Sequence, residues 1–128
     1  MAKLSAKELL AKKNIIEDKK NKKIEIEVPD IGTFTFRLPS IADYEDAQAY
    51  GKNRDNPGYE QNKYLIYACC LDPKLDDEEL MKGFEVKAAV DLIDKLMLVG
   101  EVSSIATILV EKAGFDKEAL KVVEEVKN

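Results

Sequence analysis

The sequence predicts an α+β fold, mostly helical: an N-terminal helix, one antiparallel β-hairpin, and then a bundle of about five helices around a buried central helix. Three observations carry this reading. Tyr64-Leu65-Ile66-Tyr67-Ala68-Cys69-Cys70-Leu71 runs apolar or amphipathic without a break until Asp72-Pro73. A helix that is apolar all round must be covered on every side. Two period-two runs, Lys23–Val28 and Thr33–Leu38, flank a short Pro/Asp/Gly turn. Apolar residues at three- and four-residue spacing recur through the rest of the chain.

The 128 residues suit a single domain able to bury about two-thirds of its unfolded surface without metals or disulfides. Within it, residues 1–22 form a basic helix, 23–38 the hairpin and 40–128 the helical body. Eight lysines and three acids give residues 1–23 a balance of +5, leaving −10 for the remainder of a chain whose net charge is −5. An acidic body repels phosphate backbones, so no nucleic-acid partner is expected. The N-terminus lacks a secretory apolar core and no run reaches the ~20 residues of a bilayer span, so no membrane partner is expected and the cytoplasm is the default location. Cys69 and Cys70, the only cysteines, are neighbours whose geometry opposes a disulfide between them.

Taken in order, Ser5-Ala6-Lys7-Glu8 matches a capping box, with Leu4 and Leu9 placed for a hydrophobic staple. A helix is expected from about Ala6 to Lys19, with a thin stripe of Leu9, Leu10, Ile15 and Ile16. It either docks on the body or orders against a partner. In the hairpin, Ile24, Ile26, Val28, Phe34, Phe36 and Leu38 share the apolar face, while Glu25, Glu27, Thr35 and Arg37 share the other. A hairpin alone is marginal in water, so its apolar face must sit on helices, leaving both strands as edges.

Pro39 ends the second strand and Ser40 caps the next helix with Asp43 as box partner. Ile41, Tyr44, Ala47 and Ala49 or Tyr50 form its buried face. Gly51 through Gly58 reads as a mobile loop, without phosphate-loop spacing and without a preceding strand. The central helix starts near Tyr59. Asp76 to Glu79 lack the alternating ligands and central glycine of a calcium loop. They read instead as a helix start, with Asp76 the cap and Glu79 its box partner.

Gly83-Phe84 breaks that short helix. Val86 to Leu98 reads as a helix with Ala89, Leu92, Ile93 and Leu96 on one face and Asp91, Asp94 and Lys95 on the other. Gly100 interrupts it, and Val102, Ile105, Ala106 and Leu109 define the next buried stripe. Gly114 stands where a left-handed C-cap belongs, with Phe115 placed for the accompanying contact. Asp116 is expected to cap a last helix with the stripe Ala119, Val122, Val123 and Val126.

Chemistry-bearing constellations are missing. Without His, the commonest general base and metal ligand are lost. The cysteines lie in an apolar helix that should raise their thiol pKa values, and they lack zinc-ligand spacing. The acids read as caps and solvated faces. No enzyme activity, metal or cofactor is expected.

Asn62-Lys63-Tyr64-Leu65-Ile66-Tyr67, the Asp72-Pro73-Lys74-Leu75 turn, Asp76-Asp77-Glu78-Glu79-Leu80 and Asp91-Leu92-Ile93-Asp94-Lys95-Leu96 together resemble the XkdN-like tail assembly chaperones of tailed phages and of prophages in Gram-positive bacteria. Gly100-Glu101-Val102, Lys112-Ala113-Gly114-Phe115 and the Lys-Asn ending extend the resemblance over nearly the whole chain. It implies a non-enzymatic helper of virion morphogenesis, resident in the host cytoplasm and absent from the finished tail. Such a helper binds the tape measure protein and helps recruit tail tube subunits. The alternative is a structural or adaptor protein of the tail or head–tail joint. The partner-binding residues expected on this reading are Leu9 and Ile16 of the first helix and Leu120, Val123 and Val126 of the last. Homo-oligomerisation is left open.

Overall fold

The computed structural model describes residues 3–115 and residue 120. The described chain is α+β and mostly helical, with seven α-helices and one three-stranded antiparallel sheet. The caps at the first two predicted helix starts form as expected. Ser5 Oγ accepts from the Glu8 backbone N–H at 3.1 Å, and Ser40 Oγ accepts from that of Asp43 at 3.3 Å. The N-terminal helix is divided, however, into α1 (Ala6–Ala11) and α2 (Lys13–Lys20), with Lys12 off helical geometry between them. Neither helix has a buried residue, so no packing holds the two in one continuous rod.

The hairpin joins β1 (Lys23–Val28) to β2 (Gly32–Arg37), with Ile24 opposite Phe36, Ile26 opposite Phe34 and Val28 opposite Gly32. This register puts Ile24, Ile26, Val28, Phe34 and Phe36 on one face, while Leu38, expected to join them, lies beyond β2 on the connector. The turn closes with Ile31 N–H donating to Val28 O at 3.1 Å, and Asp30 sits at φ +69°. Asp is among the few non-glycine residues that tolerate this region.

The central run behaves differently from the sequence expectation. Helix α4 (Pro57–Cys69) ends one residue before Cys70, and Cys70–Asp72 becomes a third strand, β3, antiparallel to β2. Cys70 lies opposite Phe36. Strand β2 is therefore central and only β1 and β3 are edges. The switch turns Leu71 outward, so it leaves the core that its place in the run implied. Leu65, Ile66 and Cys69 remain buried, while Tyr64 and Tyr67 are half-buried.

Helix α3 (Ile41–Gly51) packs along α4. Its buried residues are Asp43, Ala47 and Gly51; Ile41 is 78% exposed rather than inward. As the first helical residue, it lies on the rim of an open groove rather than against α4. Helix α5 (Glu78–Gly83) is capped by Asp77, whose Oδ1 accepts from Leu80 N–H at 2.9 Å. The cap is one residue later than expected, as a run of four acids permits. The stretch from Val86 is not one helix: a 3-10 turn at Ala89–Asp91 leads into the short α6 (Leu92–Leu96), and extended Met97 tucks into the core. Gly100 does not break a helix but lies in the first turn of α7 (Val99–Val110). There Leu98 N–H is satisfied by Glu101 Oε1 at 2.8 Å.

Phe36 of β2, Ile66 and Cys69 of α4, Leu92 and Ile93 of α6, and Val102 and Leu109 of α7 are fully buried in one cluster. After α7 a wide turn, Glu111–Phe115, carries Gly114 at φ +110°, and the Phe115 ring meets Tyr44 edge-on at 5.7 Å. The left-handed glycine stands where the sequence predicts it. The expected last helix, with Asp116, Ala119, Val122, Val123 and Val126, lies outside the described residues.

Candidate partner-binding surface

Two ion-pair clusters fix the frame on which the surface is built. Arg37, at the end of β2, grips Asp43 of α3 with two nitrogens at 2.6 and 3.0 Å and donates to Ala68 O of α4 at 2.9 Å. Asp43 Oδ2 also accepts from Ser40 N–H at 2.7 Å. The hydrogen bond from Arg37, helped by Ser40 and opposed by burial, holds the Asp43 carboxyl down to about 2. The same bond raises the Arg37 pKa. One guanidinium thus ties together the sheet, α3 and α4. It also sets the path of the connector Leu38-Pro39-Ser40. The sequence reading placed Arg37 on the hairpin face opposite the apolar set and Asp43 only in a capping box.

The second cluster centres on Lys63 of α4, which is 3% exposed. Its Nζ lies 2.8 Å from Asp94, 3.0 Å from Asp91 and 3.1 Å from Glu60. Burial works against the Lys63 charge, but bonds to Asp94, Asp91 and Glu60 outweigh it and raise its pKa. Tyr59 Oη donates to Asp94 at 2.6 Å, and burial with that bond pushes the phenol up to about 12. Asp91 and Asp94 thus keep partial contact with solvent, as the sequence suggests, but also hold a buried lysine. A clue was present in two acids three residues apart, which share one side of a helical turn.

Against the Arg37–Asp43 anchor lies a groove of about 690 Å³ between α2, the connector and the turn after α7. Its apolar wall includes Ile16, Leu38, Ile41 and Ala113, and its rim carries Lys19, Lys20 and Lys112. A floor of this kind takes an apolar helix stripe, and three ammonium groups favour acids beside that stripe. A second groove, about 510 Å³, runs between the edge strand β1 and α7, lined by Ile26, Val28, Leu98, Ile105 and Ile108.

Among the described residues expected to bind a partner, only Ile16 lies at the first groove. Leu9 lies on α1 at 47% exposure and Leu120 is 78% exposed. Val123 and Val126 lie outside the described residues. Ile41 and Ala113 were missed as surface residues because the stripe periodicity of α3 assigns Ile41 inward. Among the described residues, no group of three or more His, Cys, Asp or Glu side chains is placed to hold a metal ion.

Residues 6–127 match the family model described as phage XkdN-like tail assembly chaperone protein. No curated protein matches. Among solved structures, the crystal structure of the protein YqbN, a structural-genomics target, is similar with a TM-score of 0.53 and 17% identity. The similarity covers 74% of this chain and 88% of that one. At that identity it speaks to the fold alone.

Proposed function

Because the chain belongs to the phage XkdN-like tail assembly chaperone family, we propose that it binds the tape measure protein of its phage and helps recruit tail tube subunits while the tail is built. It does this as a single domain that works by binding rather than turnover, in the host cytoplasm, and it leaves before the tail is complete. The groove between α2, the Leu38–Ile41 connector and the turn after α7 is the observation that supports this reading. Its apolar floor and lysine rim suit an amphipathic helix of a tape measure protein presenting acids beside its apolar stripe. Leu9 of the N-terminal arm, with Leu120, Val123 and Val126 of the C-terminal segment, extends the contact beyond the groove.

The test is co-expression of the full chain with the tape measure protein of the same phage, followed by affinity capture and a solubility assay. Ile41→Asp and Ile16→Asp change exposed residues, so thermal stability should hold while capture and tape measure solubility fall together. Val123→Asp with Val126→Asp tests the C-terminal segment in the same assay. Capture unaffected by all four changes sinks the proposed surface. Recovery of the chain in purified particles, at a fixed ratio to tube protein, would instead establish the structural or adaptor role.

A further inference from the structure

We propose that the groove between α4, α5 and the Ala89–Asp91 turn receives the basic arm, α1–α2, of a second copy of this chain. This groove, about 410 Å³, is separate from the surface assigned to the tape measure protein. Its floor is the half-buried Tyr64, Tyr67 and Met81, with buried Val90 behind them. Its rim holds Asp76, Asp77 and Glu78 against the single cation Lys87. The floor is already shaped: Tyr67 Oη donates to Asp76 at 2.8 Å, and its ring meets Tyr64 edge-on at 6.0 Å. With the tyrosine hydroxyl satisfied, the ring faces are what remain to be covered.

The occupant is identified by complementarity that both surfaces carry. The arm is the one basic stretch of the chain, +5 over residues 1–23, on a body of −10. Every described residue of the arm up to Lys23 is exposed, and Leu10 and Ile15 are 75% and 66% exposed. Leu10 and Ile15 supply apolar groups for the tyrosine and methionine floor, while Lys12 and Lys13 meet the acidic rim. Glu17 and Asp18 give Lys87 its counter-charge. In its own chain α2 lies beside the Leu38–Ile41 connector, which commits Ile16, Lys19 and Lys20 to a different groove. A second copy therefore supplies the arm. Clustered exposed charges of opposite sign steer such an encounter and make it salt-sensitive.

Sedimentation velocity on the full chain, at about 0.1 M and about 1 M salt, tests this, because the screening length falls from about 10 Å to about 3 Å across that range. Self-association is expected at the lower salt and its loss at the higher. Glu78→Lys alone, or Lys12→Glu with Lys13→Glu, should each weaken association by about tenfold, the effect of ~1.4 kcal/mol. Mixing the two variants should restore association in part, because the unchanged arm of the Glu78→Lys chain then meets the unchanged acidic rim of the other. Carbodiimide cross-linking of mixed heavy- and light-isotope protein should join Lys12 or Lys13 to Glu78 between copies. A chain monomeric at both salts, association indifferent to both reversals, or cross-links confined within single chains each overturns the proposal. Tape measure capture by Ile41→Asp is a separate readout, so failure of one reading is distinguishable from failure of the other.

Discussion

Lys63 Nζ lies 2.8 Å from Asp94 Oδ2 with its own side chain 3% exposed, so a buried ammonium on α4 bolts down the turn and helix that carry Asp91 and Asp94. Glu60 and Asp91 complete its coordination at 3.1 and 3.0 Å. Removing the cation leaves three carboxylates facing one another. Full burial would make that cost about 3–5 kcal/mol, but Asp91 and Asp94 are about two-fifths exposed and can turn to water. Lys63→Met is therefore expected to lower stability by about 2–3 kcal/mol in urea titration. Adding Asp91→Asn and Asp94→Asn to that variant should recover part of the loss. No recovery would mean that the lysine acts through packing of its stem alone.

Asp43 sets the acid limit of the fold. Its folded-state pKa, about 2, lies below the ordinary aspartate value of about 3.9 because Arg37 and Ser40 bind the charged form. A depressed carboxylate stabilises the fold fully above its unfolded pKa, and that contribution drains away as pH falls towards the folded value. At about 1.4 kcal/mol per pH unit of displacement, Asp43 contributes roughly 2.5 kcal/mol at neutral pH. Asp43→Asn should thus cost roughly 2.5 kcal/mol at pH 7 and very little near pH 2. Chemical denaturation across that range reads the difference, and a constant deficit at all pH values would refute the linkage.

The parts of this fold legible in the sequence were those decided locally. Ser5 and Ser40 announce their helices because a hydroxyl and a carboxylate three residues apart satisfy the same orphan N–H groups wherever they occur. The hairpin register follows from alternation, since a slip of one residue would expose Ile24, Ile26 and Phe36 together. What stayed hidden was decided by distant partners. An apolar run fits helix or strand equally well, and Cys70–Asp72 becomes a strand because β2 offers an open edge. Lys63 looks like any surface lysine until Asp91 and Asp94, about thirty residues away, are brought to it. The groove beside Ile16 likewise has walls from three separated stretches, so only Ile16 of its lining could be named in advance.

Gly51 is a point of close approach between α3 and α4. A Cβ added there would stand 2.8 Å from Pro57 O and 2.8 Å from Gln61 Cγ. The glutamine can swing aside, but the backbone carbonyl cannot. Gly51→Ala is expected to destabilise by about 1–3 kcal/mol despite the better helix propensity of alanine. Gly58→Ala is the control, since nothing lies within 4 Å of its added Cβ. Its melting temperature should stay level or rise. Equal responses at the two glycines would show that α3 and α4 are not in tight contact there.

The adjacent thiols give a readout of the helix-to-strand switch at Cys69–Cys70. Burial pushes Cys69 up to about 12, with the Asp43 charge adding to it and Arg37 opposing. Burial also pushes Cys70 up to about 11, and its Sγ lies 3.3 Å from Pro73 O. The thiolate is the reactive species, so at pH 8 both cysteines should be far less reactive than a free thiol of pKa about 8.5. Cys70, only half-buried on an edge strand, should be alkylated first, and Cys69 only when the core opens. Timed iodoacetamide labelling with peptide mapping resolves the two. Under native conditions Cys69 labelling should track global unfolding, and Cys70 labelling should quicken in a variant that loosens β3 from β2. Simultaneous labelling at one rate would place both thiols in the same cooperative unit and remove the distinction between the end of α4 and the edge strand.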